Sequence, residues 1–198
     1  MDYTIILQAF WVIIPVYVAN ASAVVVGGGI PIDFGKFSKD GKRLLGDGKT
    51  WRGLLSGTFI GMTAGFGLVV AVSYINSTDF KFLNLTNFEG FPIMFAIIFS
   101  LCFGALIGDI SESYFKRRIG RDRGQDWIPF DQIDFILGAI ISNFLISCIL
   151  QILGILKYNW FIENLFPWHV LFLLFITPFI HITANFIHKK LIIPYAKK

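Results

Sequence analysis

The sequence predicts an all-α integral membrane protein with five transmembrane helices, and three observations support this prediction. The chain of 198 residues is 55% hydrophobic and 15% charged, whereas a soluble domain carries about 25% charged residues. Five segments lack Asp, Glu, Lys and Arg over the roughly 20 residues that a spanning helix needs. The basic residues are concentrated in every second connection. We therefore expect a single membrane domain, residues 1–198, without a soluble domain.

Each predicted helix follows from one of the uncharged segments. The first starts after an acidic residue, Asp2, and is longer than the apolar part of a signal peptide, so we interpret it as a membrane span. The second is rich in small residues that allow close helix contact. The third runs directly into a charged segment, and an aromatic stretch typical of a membrane interface separates the fourth from the fifth. The predicted helices cover about residues 3–27, 53–76, 90–115, 131–156 and 166–189.

The distribution of Lys and Arg predicts the orientation of the helices. Of the 17 basic residues, all but Lys81 and Lys157 lie in the loops at about 28–52 and 116–130 or after the last helix. Because positive charge is retained in the cytoplasm, we expect the N-terminus outside, the C-terminus inside and both loops in the cytoplasm. Bases spread in this way do not form one soluble basic face, so we expect no nucleic-acid partner.

The segment that follows the third apolar stretch has an ordered pattern of charge. If the third helix continues into it, then Asp109, Ser113 and Lys116 fall at positions i, i+4 and i+7 and share one helix face. Asp131 and Asp134 share a face at the start of the fourth helix. Carboxylates at a membrane boundary are costly unless they are paired or hold a cation. The pattern therefore indicates that these acids have a specific partner.

A metal–polyphosphate complex is the partner that this pattern favours. Mg²⁺ is a hard ion that prefers carboxylate ligands and usually shares its coordination shell with substrate phosphates. Asp109, Asp131 and Asp134 would hold Mg²⁺, and the bases between them would neutralise phosphate oxygens. In the alternative interpretation the bases only fix topology and the acids are their ion-pair partners. That alternative explains the bases well but the three Asp poorly, because acids contribute little to topology.

The first cytoplasmic loop predicts a second part of the same site. Its end, LLGDGKTWRG, contains Gly-Lys-Thr like a P-loop, but position 43 is Arg and no strand precedes it, so we do not expect a P-loop ATPase. Gly46 and Gly48 still let backbone amides approach an anion, and Lys49 and Arg52 add positive charge near a helix N-terminus. The alternative is a flexible basic loop that only fixes topology.

The charged segment resembles the signature of CTP-dependent phosphatidate cytidylyltransferases. The matching residues are Ser113-x-x-Lys116-Arg117, Arg121-Asp122, Pro129 and Asp131-x-x-Asp134. The spacer between Arg117 and Arg121 is one residue shorter than in the bacterial pattern, and the His-Gly-Gly before the acidic pair is absent. With these departures, and with VANASAVVVGGGIPIDFG and LLGDGKTWRG, nearly the whole chain closely resembles the archaeal branch, the CDP-archaeol synthases.

The resemblance implies that CTP and an isoprenoid ether lipid phosphate, 2,3-bis-O-geranylgeranyl-glycerol 1-phosphate, react to give a CDP-archaeol lipid and pyrophosphate. It implies Mg²⁺ as cofactor and an active site at the cytoplasmic face of the cell membrane. The implied catalytic residues are Asp109, Lys116, Asp131 and Asp134, of which the three Asp hold the metal. The implied CTP- and phosphate-binding residues are Gly46, Asp47, Gly48, Lys49, Thr50, Arg52, Ser111, Ser113, Arg117, Arg121 and Asp122. Asn20 and Asp33 form a candidate further site.

Other function classes account for parts of the sequence. Another nucleotide-dependent lipid enzyme, such as a polyprenol kinase, would use a similar site but would transfer the γ-phosphoryl group. A small-solute transporter would carry charges near the bilayer midplane, in two related halves, whereas here the charges cluster at one surface and no halves are visible. The motif of a CDP-alcohol phosphotransferase, in which Ala-Arg follows an Asp-Gly pair, is absent.

Overall fold

A computed structural model describes residues 4–121, 125, 127–165 and 167–187, apart from the side chains of 181 and 184–187. These residues form helices and connecting loops, and no strand occurs among them; two isolated β-bridges lie in the loop after the first helix. The helices are α1 (Thr4–Val26), α2 (Trp51–Ile75), a 3₁₀ helix (Asp79–Leu83), α3 (Ile93–Arg118), α4 (Phe130–Ile152), α5 (Trp160–Asn164) and α6 (Pro167–Ile187). The predicted all-helical class is confirmed.

Four of these helices, α1 to α4, are long and apolar enough to cross a membrane by length and composition. In α6 the apolar part that the structure describes is shorter, Pro167–Ile180. The chain is therefore a multi-pass membrane protein with four to five spanning helices. The predicted orientation, with the N-terminus outside, stays a prediction.

The start of α2 corrects the predicted bound of residue 53. The helix begins at Trp51 because the Thr50 side chain caps it, its Oγ1 accepting a hydrogen bond from the Gly53 amide at 3.1 Å. The same oxygen accepts a second hydrogen bond, 3.2 Å long, from the Gly28 amide just after α1. One buried hydroxyl thus joins the end of α1 to the start of α2.

The bounds of α3 and α4 also differ from the prediction. Helix α3 begins at Ile93, and not at residue 90, because Gly90 adopts a left-handed conformation with φ of 67°. It continues to Arg118, past the predicted end at residue 115. Helix α4 ends at Ile152 and not at residue 156, since the left-handed Gly154, with φ of 69°, turns the chain.

Helices α3 and α4 approach each other closely along a seam of glycines. A Cβ atom built at Gly108 would overlap the carbonyl oxygen of Asp134, and one built at Gly138 would overlap the carbonyl oxygen of Gly104. In a membrane, where dispersion contacts hold helices together, such small residues allow the backbones to touch. The seam sets the spacing between the parts of α3 and α4 that carry Asp109 and Asp134.

The segment between α1 and α2 folds back on itself through the two isolated β-bridges, and we call it the hairpin loop, residues 30–51. At its base the Trp51 amide donates to the Ile30 carbonyl at 3.1 Å and the Ile32 amide to the Lys49 carbonyl at 2.9 Å. At its tip Asp40 pairs with Arg118, at 2.7 Å, so that the tip rests on the end of α3. The hairpin loop is therefore held at both ends.

Asp33 organises the interior of the hairpin loop. Its side chain is 1% exposed and pairs with Arg43 at 3.0 Å. Its carboxylate oxygens also accept hydrogen bonds from the backbone amides of Gly35, Leu45 and Gly46. This is a structural use of Asp33, since its carboxylate is fully engaged inside the loop.

The ionised form of Asp33 is expected to stabilise the chain. Burial opposes ionisation, but the Arg43 guanidinium and the amides of Leu45, Gly46 and Gly35 outweigh it and hold the pKa of Asp33 well below its usual 3.8. A carboxylate whose pKa is lower in the folded state contributes stability above its unfolded pKa and loses it as the pH falls toward the folded pKa. Removing such a charge-assisted set of hydrogen bonds costs about 1–3 kcal/mol.

We expect Asp33→Asn to lower the thermal unfolding midpoint near neutral pH. The difference from the unsubstituted chain should shrink as the pH falls below about 4, where the unfolded carboxyl group takes up its proton. Thermal unfolding in detergent, followed over a series of pH values, measures this difference. A difference that stays constant down to about pH 3 would contradict the assigned role.

Candidate active site

A cavity of about 440 Å³ lies where the hairpin loop meets the ends of α1, α3 and α4. The two segments that the sequence analysis singled out, one in the hairpin loop and one along α3 and α4, both contribute to its wall. The predicted site residues that line it are Gly46, Asp47, Gly48, Lys49, Thr50, Asp109, Ser113, Lys116, Arg117, Asp131 and Asp134. Their individual roles in catalysis stay predictions.

An ion pair across the cavity joins the hairpin loop to α3. The ammonium group of Lys49 lies 2.5 Å from Oδ2 of Asp109, and the two side chains are 22% and 27% exposed. Lys49 is 60 residues from Asp109 in the chain, so this contact depends on the folded loop. It places a lysine that could meet a phosphate directly beside a carboxylate.

A second ion pair joins α3 to α4. The ammonium group of Lys116 donates to both carboxylate oxygens of Asp131, at 2.8 and 2.7 Å, and Oδ2 of Asp131 also accepts the Trp127 amide at 2.8 Å. The side chains of Lys116 and Asp131 are only 11% and 17% exposed. Such buried charges are stable only as a pair, so the loss of either one should disturb the other.

Glu112 also lines the cavity, although it is not among the predicted site residues. Its side chain is 8% exposed, and its Oε1 lies 3.8 Å from Lys116 Nζ, beyond hydrogen-bonding distance. Within the described residues this oxygen accepts no hydrogen bond. The helical spacing was a usable signal, because Glu112 follows Asp109 by three positions on the face that points to the cavity.

Asp134 lines the cavity beside the glycine seam. Its Oδ1 accepts a hydrogen bond from the Phe135 amide at 2.7 Å, and its own carbonyl oxygen touches Gly108. Asp109 follows Gly108 directly in α3. The seam therefore fixes how far Asp134 stands from Asp109.

The glycines of the hairpin loop are used differently from the expectation. Gly46 has φ of 99°, a left-handed conformation, but its amide donates to Asp33 at 3.1 Å and is not directed at a ligand. Arg117 lies against this turn and donates through Nε to the Leu45 carbonyl at 3.4 Å. It also donates through a terminal nitrogen to the carbonyl oxygen of Arg121. In this structure Gly46 and Arg117 shape the turn that carries Lys49.

Several predicted site residues lie away from the cavity wall. Arg52, in the first turn of α2, lines a separate shallow groove with apolar neighbours such as Leu55. Ser111 is exposed and donates to the Ile107 carbonyl of its own helix at 2.8 Å. Asn20 is half-buried in α1. Like Asp33 and Arg121, these residues are not part of the cavity lining, and Asp122 lies outside the described residues.

Apolar side chains also line the cavity. They belong to Ala23 and Val24 of α1, Leu54 of α2, and Leu106 and Ile110 of α3. These residues belong to helices that are apolar enough to cross the membrane. The cavity thus combines charged side chains with apolar side chains of the long helices, a combination suited to a molecule with an anionic head and an apolar tail.

Comparison with known proteins identifies the family. A family model described as CarS-like CDP-archaeol synthase matches residues 2–195. A CDP-archaeol synthase of Thermococcus onnurineus is 38% identical over 191 residues, which are 96% of either chain. The CDP-archaeol synthase of Methanocorpusculum labreanum is 43% identical over 152 residues, 76% of this chain and 77% of the relative. The chain belongs to the CDP-archaeol synthase family.

A solved structure supports the same assignment at the level of the fold. A protein described as an intramembrane enzyme for archaeal membrane lipids biosynthesis superimposes with a TM-score of 0.68 and 32% sequence identity, covering 91% of this chain and 94% of that one. The chain is therefore an enzyme of the CDP-archaeol synthase family, a CTP-dependent transferase of archaeal lipid biosynthesis. The resemblance stated from the sequence motifs is confirmed.

The oxygen atoms that line the cavity determine whether the predicted Mg²⁺ site fits this CDP-archaeol synthase. Five carboxylates line the cavity, that of Asp47 in the hairpin loop and those of Asp109, Glu112, Asp131 and Asp134 on α3 and α4, and carboxylates are the ligands that Mg²⁺ prefers. The unbonded Oε1 of Glu112 adds an available acceptor. Over the described ranges, however, no three His, Cys, Asp or Glu side chains are grouped closely enough to hold a metal ion as they stand. The donor chemistry fits Mg²⁺, while Lys49 and Lys116 occupy two of the carboxylates.

Proposed function

We propose that the chain transfers the cytidylyl group of CTP to 2,3-bis-O-geranylgeranyl-glycerol 1-phosphate, and that the cavity described above is where this happens. The family supports the reaction. One observation supports the place: Lys49 and Lys116, each paired with a carboxylate, line a cavity that is also lined by apolar side chains of the long helices. The charged side chains would bind the triphosphate, and the apolar side chains would contact the first carbons of the lipid chains.

The proposed step is a displacement at the α-phosphorus of CTP. An oxygen of the lipid phosphate forms a new bond to this phosphorus, and the bond from the α-phosphorus to the oxygen that bridges to the β-phosphate breaks. The bridging oxygen keeps the electron pair and leaves as part of pyrophosphate. Because the attacking oxygen is already an anion, no general base is needed. Catalysis then consists of positioning two anions and neutralising their charge.

The residues of this chain supply the positioning and the charge. Lys49, Lys116 and Arg117 would exchange their present partners for phosphate oxygens, as charge-assisted hydrogen bonds. Asp109, Asp131 and Asp134, with Glu112 beside them, would then be the oxygen ligands of Mg²⁺. When bound, Mg²⁺ would supply positive charge to the phosphates and hold them in a fixed arrangement.

We further propose that the cavity faces the cytoplasm. The hairpin loop and the connection from α3 to α4 both carry basic residues, including Lys36, Lys42 and Arg121, and both lie at the cavity end of the helices. Basic connections remain on the cytoplasmic side of a membrane. This orientation would also give the cavity direct access to soluble CTP.

Labelled nucleotides test the proposed reaction. Purified protein in liposomes would be given CTP labelled at the α- or the γ-phosphate, Mg²⁺ and the ether lipid phosphate. We expect the α-label to enter the lipid, the γ-label to leave with pyrophosphate, and ATP, GTP and UTP to be poor substitutes. Transfer of the γ-label to lipid would instead indicate a kinase and would contradict the proposal.

A further inference from the structure

Three apolar side chains at the base of the hairpin loop are exposed together. Ile30 and Phe34 are each 63% exposed and Trp51 is 41% exposed. The rings of Phe34 and Trp51 lie 6.5 Å apart between centroids, and Ile30 is tied to Trp51 by the backbone hydrogen bond at the base of the loop. We call Ile30, Phe34 and Trp51 the base patch. Large apolar residues clustered on a surface indicate a partner.

The backbone of Phe34 adopts a costly conformation in exposing this ring. Its φ is 50°, in the left-handed region that an aromatic residue rarely enters. The turn is held in place because the Phe34 amide donates to the Pro31 carbonyl at 3.0 Å and the amides of Gly35 and Lys36 donate to Asp33. If the phenyl ring were exposed to water, nothing would offset the free-energy cost of this backbone conformation. Transfer of the ring into an apolar environment would offset that cost.

The depth of the base patch identifies that environment. Trp51 is the first residue of α2, a helix long and apolar enough to cross the membrane. Val25, in the last turn of α1, stands beside the same loop and is 82% exposed. The patch therefore lies level with the ends of two spanning helices. That is the zone between headgroups and acyl chains, in which tryptophan and other aromatic residues are enriched.

Phe37 offers a contrast within the same loop. It is 64% exposed, as much as Phe34, but it lies toward the tip of the hairpin loop, and its ring packs against the Arg43 guanidinium at 5.6 Å. The tip is bound to Arg118 at the end of α3. Helix α3 has 26 residues, a length of about 39 Å, which exceeds the roughly 30 Å hydrocarbon core. Its end, and Phe37 with it, should stand in water.

We propose that the base patch inserts into the lipid bilayer surface on the cavity side and anchors the hairpin loop there. Lys36, which is exposed and has no ion-pair partner within the described part of the chain, follows the patch and can reach lipid phosphates. This interaction surface is separate from the proposed reaction, because no member of the patch lines the cavity.

The anchor acts on the cavity through Asp33. Phe34 follows Asp33 directly, and the Asp33 carboxylate holds the amides of Leu45 and Gly46 at 3.0 and 3.1 Å. The turn after Gly46 carries Lys49 into the cavity wall. Fixing Phe34 in the bilayer surface thus restricts the segment that presents Lys49.

Site-directed spin labelling measures the depth without any substrate. Cys102→Ala and Cys148→Ala remove the two native thiols, and Phe34→Cys or Phe37→Cys then carries a nitroxide in liposomes. We expect position 34 to be more accessible to oxygen than to a water-soluble nickel complex, as in a membrane, and position 37 to show the reverse. Equal, water-like accessibility at both positions would overturn the proposal, whatever the outcome of the labelled-nucleotide assay.

A second measurement uses the chain with its cysteines and Phe34 intact. Lipids brominated near the headgroup quench tryptophan fluorescence at the bilayer surface, and the signal of Trp51 is the difference between the unsubstituted chain and Trp51→Phe. We expect the intensity of this difference signal to be at least about twofold lower in brominated than in unbrominated liposomes, since Trp51 lies level with the interface. A difference signal that brominated lipids leave unchanged, but that an aqueous quencher reduces, would overturn the proposal.

Discussion

Asp131→Asn is expected to reduce CTP-dependent turnover by about 10²- to 10³-fold, the scale on which removing one preorganised electrostatic contact acts. The substitution keeps the shape of the side chain but removes the charge that holds Lys116 Nζ at 2.7 Å. Lys116 would then remain beside Glu112 alone, displaced from its place between α3 and α4. Initial rates of α-label transfer from CTP to the lipid, in liposomes, measure the effect.

Asp40→Asn is the matched control for this prediction. Asp40 also pairs with a basic residue of α3, Arg118 at 2.7 Å, but it is more exposed and lies outside the cavity. Exposed ion pairs contribute about 0–1 kcal/mol, so its turnover should stay within about twofold of the unsubstituted chain. Near-normal turnover of Asp131→Asn, in protein with an unchanged unfolding midpoint, would refute the role assigned to Asp131.

Gly108→Ala is expected to damage both stability and activity. The added methyl group would overlap the carbonyl oxygen of Asp134, which belongs to the backbone of α4 and cannot move alone. Overpacking of this kind costs about 1–3 kcal/mol, and any relief must separate α3 from α4. Because Asp109 and Asp134 stand on the two sides of this contact, we expect turnover to fall at least about tenfold, as misplacement of reacting groups does.

Gly67→Ala is the matched control for Gly108→Ala, because its added methyl group would meet no neighbouring atom. Gly67 lies in the interior of α2 and has nothing within 4 Å of the added atom. Alanine is favoured over glycine in a helix by about 0.5–1 kcal/mol, so the unfolding midpoint should stay the same or rise and turnover should not change. If Gly108→Ala behaved like Gly67→Ala in thermal unfolding and in turnover, the seam would not set the geometry of the site.

The sequence predicted the long helices because uncharged segments of bilayer length are a strong signal, but it did not predict their ends. The start of α2 depends on the Thr50 hydroxyl, which also binds the amide of Gly28, a contact between segments 22 residues apart. The end of α4 depends on the left-handed Gly154. The ends of these helices are determined by tertiary contacts and by single turns, and a hydropathy pattern contains no information about either.

The sequence also indicated which segments form the cavity, but not the direction of every side chain. Arg52 follows Gly-Lys-Thr closely and was expected to bind phosphate. In the structure it stands one residue before Gly53 in α2, so that Gly53 faces the cavity and Arg52 faces the separate groove. Asp33 was predicted, with Asn20, as part of a candidate further site, whereas its carboxylate is buried in the hairpin loop and paired with Arg43. To place these two side chains correctly, one must know the rotation of α2 and the path of the hairpin loop, and the sequence pattern contains neither.

In the two lysine–aspartate pairs, the Asp carboxylates compete with any phosphate group for the ammonium groups of Lys49 and Lys116. Lys49 and Lys116 already have counterions in Asp109 and Asp131, so in the proposed reaction an entering triphosphate would exchange partners with these carboxylates and would not neutralise bare charges. The net binding free energy is then a difference between two sets of ion pairs, each of which has already lost part of its hydration. After the proposed reaction the same exchange would run in reverse, because the carboxylates would pair with Lys49 and Lys116 again and so favour release of pyrophosphate. The ion pairs would then return the cavity to its starting state for the next turnover.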